Sequence, residues 1–147
     1  MMQRYPLTLR NFLLSFILGL AVGHAAAQEA HGSVAQAVTQ VVRSQLNAFA
    51  EDDAETAFKL STASTRQLIG TPDGLLSVIK HKFTPIYRHR KAMFSEPEII
   101  NRSALQIVHL TDADNLVWIA IYQVEQEADG IWRVDGCQLF ETRSMSI

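Results

Sequence analysis

Asp135 and Tyr122 are the side chains in this 147-residue sequence best suited to acid–base chemistry. Asp135 stands between Val134 and Gly136, with Arg133 two residues before it. A carboxylate held in an apolar pocket has a raised pKa and serves as a general acid or base. The alternative is a surface pair between Arg133 and Asp135. Tyr122 lies in the apolar run Leu116–Glu125 (LVWIAIYQVE), where a buried phenol needs a hydrogen-bond partner. It is either a pocket group or a core tyrosine whose hydroxyl is satisfied. If the two side chains share a cavity, the chemistry they suit is that of a small isomerase or hydrolase.

The second candidate is a concentration of positive charge. Lys80, Lys82, Arg88 and Arg90, interleaved with His81, His89 and Lys91, flank Pro85. Such a cluster attracts an anionic ligand or an anionic membrane surface if its side chains converge. Otherwise Lys80 and Lys82 only complement a helix C-terminus, and Arg90 and Lys91 protect a sheet edge. His81, His89 and His109 fit no helical ligand pair, and Cys137 is the single cysteine, so no metal site is expected. A lone thiol closes no internal disulfide, and Cys137 reads as a small buried hydrophobe. No nucleophile–base set and no phosphate loop is visible, and no cofactor is expected. With 15 acidic against 13 basic side chains, the chain is not a general nucleic-acid binder.

The elements that must position these groups begin after an N-terminal leader. Arg4 and Arg10 precede the apolar run Phe12–Val22, and Ala25-Ala26-Ala27 supplies small residues behind it. That order is the pattern of a secretory signal cleaved after Ala27. The apolar run is about half the ~20 residues a spanning helix needs, so cleavage is expected over anchoring. Loss of Arg4 and Arg10 takes the net charge from −2 to −4. Residues 28–32 read as a tether, and residues 33–147 as one domain destined for the periplasm.

Within that domain Ser33 and Gln36 have the spacing of a capping box. Val34, Val38, Val41, Val42, Gln45, Leu46 and Phe49 follow at helical spacing. Glu51-Asp52-Asp53 ends this helix and caps a second one carrying Ala57 and Phe58. A short turn spans Ser64–Ile69, and Thr71-Pro72 starts a helix with Leu75, Leu76, Ile79 and Phe83 on its apolar face. Beyond Pro85 the period changes to two. Strands are predicted over Lys91–Ser95, Ala104–Leu110, Leu116–Glu125 and Ile131–Phe140, with Asp129-Gly130 as a hairpin turn. Leu116–Glu125 is apolar in both phases of its alternation, so both faces are expected to be covered. Helices followed by an antiparallel meander define a segregated α+β domain.

Three stretches resemble an exported bacterial family, domain of unknown function 4864. They are Gln45–Phe58 (QLNAFAEDDAETAF), Thr84–Arg88 (TPIYR) and Asp129–Leu139 (DGIWRVDGCQL). The order of elements is more distantly similar to the cone-shaped nuclear-transport-factor-2-like fold, whose members include isomerases, dehydratases and plain binding domains. The resemblance implies helices on a curved antiparallel sheet and carries no assigned activity. Three functions stay open: a non-catalytic periplasmic binding or interaction domain, a small pocket enzyme using Asp135 and Tyr122, and a dimer-forming accessory subunit. The last calls for an exposed apolar sheet face and a homodimer.

Overall fold

The computed structural model describes residues 18–142, with side chains from Ala27 onward. Most of the expected leader, including Arg4, Arg10 and the start of the apolar run, lies outside the described residues. No described helix is long and apolar enough to cross a membrane. The chain divides into two units, Met1–Ser33 and Val34–Ile147. In the first, the described residues belong to helix α1 (Leu18–Ala50). The helix therefore begins well before Ser33, and residues 28–32 are helical. Ser33 Oγ donates to Ala30 O at 2.8 Å instead of capping a helix start. Gln28, Glu29 and Ala30 are good helix formers, which carries the helix through this stretch.

The second unit is α+β, with helices packed against a five-strand antiparallel sheet that is not strongly curled. Its α1 portion buries Val38, Val42, Leu46 and Phe49, positions that helical spacing places on one stripe. Gln45 is buried on the same stripe because its Nε2 donates to Ala57 O (3.1 Å) and Ser61 Oγ (3.0 Å). The acidic cluster ends α1 as expected. Asp52 takes a positive φ of 58°, and Asp53 caps α2 (Ala54–Lys59) by accepting from Thr56 N. Thr62 caps α3 (Ala63–Ile69), and Gly70 (φ 91°) closes it. Thr71 caps α4 (Pro72–Lys82), whose Leu75, Leu76 and Ile79 face the core. A single-turn helix, α5 (Thr84–Tyr87), follows and buries Ile86.

The strands are β1 (His89–Phe94), β2 (Glu98–Ile100), β3 (Ser103–Asp112), β4 (Val117–Gln126) and β5 (Trp132–Thr142). β2 escaped the sequence reading because three residues are too few to display a period. Their order is β1-β3-β4-β5, with β2 also on β3. β4 pairs along nearly the whole of β3, so β1 and β2 share the other edge of β3, one beyond the other. On the helix-covered face, Ala104, Gln106, Val108 and Leu110 alternate in from β3, and Ala120, Tyr122 and Val124 from β4. Gln106 is fully buried and satisfied. It accepts from Thr39 Oγ1 (2.8 Å) and donates to Ser95 O (2.8 Å) and Ile107 O (3.0 Å). Trp132 and Val134 are buried from β5, while Trp118 is half-buried.

Phe49 is only 1% exposed at the centre of this packing. Phe49→Ala is expected to cost ~3–5 kcal/mol, the range for emptying a large aromatic site. Chemical denaturation checks it, and a loss under ~1 kcal/mol would mean that α1 does not pack on the sheet as described.

Candidate functional site

Tyr122 projects from β4 into the core between two cross-strand neighbours, Gln106 on β3 and Cys137 on β5. Its hydroxyl is buried and has no hydrogen-bond partner. Burial, and secondarily Cys137, push its pKa well above the ordinary phenol value, so the group stays neutral. Burial also pushes the Cys137 thiol up to about 11, which leaves it protonated and a poor nucleophile at neutral pH.

Asp135 occupies a different place. The register of β5 on β4 slips here: Val134 pairs with Val124 and Gly136 with Gln123, so Asp135 is the extra residue of a bulge. The bulge turns its carboxylate to the start of α3, where Oδ1 accepts from Thr62 Oγ1 (2.7 Å) and Ser64 Oγ (3.2 Å). Its carbonyl accepts from Thr65 Oγ1 at 2.6 Å. Asp135 thus fastens α3 to β5 and makes no hydrogen bond with Tyr122. Arg133 pairs with Asp129 (2.9 Å) and Glu127 (3.5 Å), not with Asp135.

Of the four basic candidates, Lys80 and Arg88 meet at Tyr87. Lys80 Nζ lies 2.8 Å from Asp52 Oδ1, which also accepts from Tyr87 OH at 2.8 Å. Arg88 stacks 4.0 Å from the Tyr87 ring centroid and donates to its hydroxyl at 2.6 Å. The Lys80 hydrogen bond, then that of Tyr87, holds the Asp52 carboxyl below its usual range, and the same contact raises Lys80. Arg90 turns to Asn115 Oδ1 (2.9 Å) in the β3–β4 turn, and Lys82 is exposed. Among the described residues no group of three His, Cys, Asp or Glu side chains is placed to hold a metal ion.

The largest feature that residue-by-residue reading missed is the second face of the sheet. Strand alternation aims Met93, Ile107, Ile119, Ile121 and Phe140 away from the helices. No helix of the described residues covers them. Met93 is 52%, Ile107 37% and Phe140 49% exposed. Half-buried His109 is the titratable member of this apolar centre, lying between Met93 and Ile119 in the register. Double-phase alternation in Leu116–Glu125 was the available signal, but it suggested cover on both sides; the described residues cover one. At the β2 end, Glu98, Leu105, Gln123 and Glu125 line an open groove of ≈ 300 Å³.

A family profile described as domain of unknown function (DUF4864) matches residues 32–147, most of the chain. No curated protein and no solved structure matches it.

The Tyr122 hydroxyl makes a sharp test of this core. A buried polar group without a partner costs ~1–3 kcal/mol. Tyr122→Phe is therefore expected to raise stability by about 1 kcal/mol in denaturant titration. A clear loss instead would show that the hydroxyl is bonded within the fold.

Proposed function

The chain belongs to the DUF4864 family, and we propose that it is an exported, non-catalytic interaction domain whose working surface is the outer face of its sheet. The observation that carries this reading is the uncovered apolar face itself. Monomeric soluble domains rarely leave contiguous apolar surface of this kind open, and such patches mark interaction sites. A protein surface is the occupant best matched to it. The face is broad and open, whereas small-molecule sites are concave and bury most of their ligand.

The enzyme alternative has less behind it. Tyr122 is enclosed in the core, Asp135 is engaged by hydroxyls at the start of α3, and the groove is lined by neither. The basic segment supports an anionic ligand less well than it supports local structure, since Asp52 neutralises Lys80 and Arg90 is held by Asn115. The relation to the nuclear-transport-factor-2-like fold belongs to this proposal too. Its support is the order of elements, helices first and a meander after them.

Export rests on the charged start, apolar run and small-residue end of the leader. Protein recovered from the periplasm is expected to begin at Gln28. Full-length chain held in the membrane fraction would overturn cleavage.

The docking surface is tested by a photo-crosslinking residue placed at Ile119 in cells, with Glu55 on α2 as the control position. Adducts are expected at Ile119 and not at Glu55. Failure to find any adduct at Ile119 would remove this face as an interaction site.

A further inference from the structure

The outer face is polarised along its strands. At one end Lys91 on β1 aligns with Thr111 on β3. At the other, Glu98 on β2 aligns with Leu105, and Glu125 on β4 aligns with Ser103, whose hydroxyl it accepts at 3.0 Å. The ion pairs among the described residues join Lys80 and Arg133 to nearby acids, and none uses Lys91, Glu98 or Glu125. One face thus carries an unpaired cation at one end and an apolar centre, and at the other end two unpaired carboxylates beside Arg133, whose charge is met by Asp129 and Glu127.

This distribution is self-complementary under a twofold rotation. An axis lying in the plane of the face, across the strands at the Ile107–Ile121 pair, exchanges the two ends and keeps each strand opposite its own equivalent. Because β1 and β2 share one edge of β3, the rotation brings Lys91 of one copy over the β2 end of the other. That end holds the groove between Glu98 and Glu125. The other in-plane axis, along the strands, would set Lys91 against Thr142 and Glu125 against Ser103, leaving both unanswered, and would bring only Arg133, already paired with Asp129 and Glu127, over the β2 end. Stacked sheets keep their strand directions within about 30° of alignment, which a lysine stem spans.

We infer that the partner of the outer face is a second copy of this chain, packed face to face with ends exchanged, and that Lys91 of each copy enters the Glu98–Glu125 groove of the other. This rests on the reading of that face as a docking surface. The interface is isologous, so each charge contact occurs twice and any substitution counts double. Apolar burial supplies the attraction, and the charges choose the orientation.

The test uses the protein purified after expression of the full chain and followed by sedimentation equilibrium, with circular dichroism to verify the fold. The wild type is expected to dimerise. Lys91→Glu alone, and Glu98→Lys with Glu125→Lys, should each weaken dimerisation by about tenfold or more, since like charges then face each other. All three substitutions together should restore it to within about threefold. A monomeric wild type, or a triple variant no better than its parents, overturns the inference. The docking reading is judged separately by the Ile119 crosslinker. An adduct of a mass other than twice the chain keeps that reading and refutes the second copy. No adduct refutes both.

Discussion

Everything in this domain depends on how α1 sits against one face of the sheet. The stripe Val38, Val42, Leu46 and Phe49 supplies the apolar area, but apolar area alone would let the helix slide or rotate. Two buried amides prevent that. Gln106 reaches up from β3 to Thr39, and Gln45 reaches from α1 to Ala57 and Ser61. Each is satisfied in one placement only, and a displaced helix would strand it in the core at considerable cost. The helix–sheet docking is therefore specific as well as favourable, and the α2–α3 segment is hung from it.

From that docking the rest of the geometry follows. Gln45 fixes Ser61, and the chain beside Ser61 pairs with β5: Val134 N donates to Leu60 O and Thr62 N donates to Val134 O, both at 2.9 Å. The bulge at Asp135 comes next along β5, and its carboxylate closes on Thr62 and Ser64. A residue whose type and neighbours suggested proton transfer is thus accounted for as a clamp between α3 and the sheet. Tyr122 has no such account, since its hydroxyl is unpartnered. In a domain whose other large buried polar side chains are satisfied, that exception marks where packing was settled at some expense to stability.

The helical half was legible because its signals are local. The apolar stripe of α1, the caps at Asp53 and Thr71, and the closing Gly70 each act within a few residues of themselves. The long strands were legible from their alternation. What escaped were features that depend on partners distant in sequence. β2 is a strand only because β3 offers an edge to it, and α5 occupies a single turn between Phe83 and Arg88. The start of α1 was placed too late because Ser33 and Gln36 imitate a cap within a helix that is already running. Asp135 and Arg133 seemed to share a face because a bulge cannot be seen in a strict two-residue period. The apolar second phase of β4 was visible all along, but alternation does not say how many layers a chain has available to cover it.

That last point separates the face of the sheet from its edges as a surface for association. An open edge invites another strand, and proteins guard against this with charge, irregularity or cover. Here β1 carries His89, Arg90 and Lys91 along its length and breaks register between His89 and Lys91. β5 is bonded at Val134 by Leu60 and Thr62, with the Asp135 clamp alongside. The β1 edge is thus guarded by charge and a register break, and the β5 edge is blocked where the Leu60–Thr62 segment pairs with Val134. The outer face has no comparable protection. Its unpaired charges are confined to the ends of the strands, Lys91 at one and Glu98 and Glu125 at the other, where Arg133 is already paired with Asp129 and Glu127, and Met93, Ile107 and Phe140 between them are left to water. A surface selected only for solubility would spread those charges through the centre. Their placement at the ends, in opposite signs, keeps the centre apolar and gives it a direction, which is what a docking face requires.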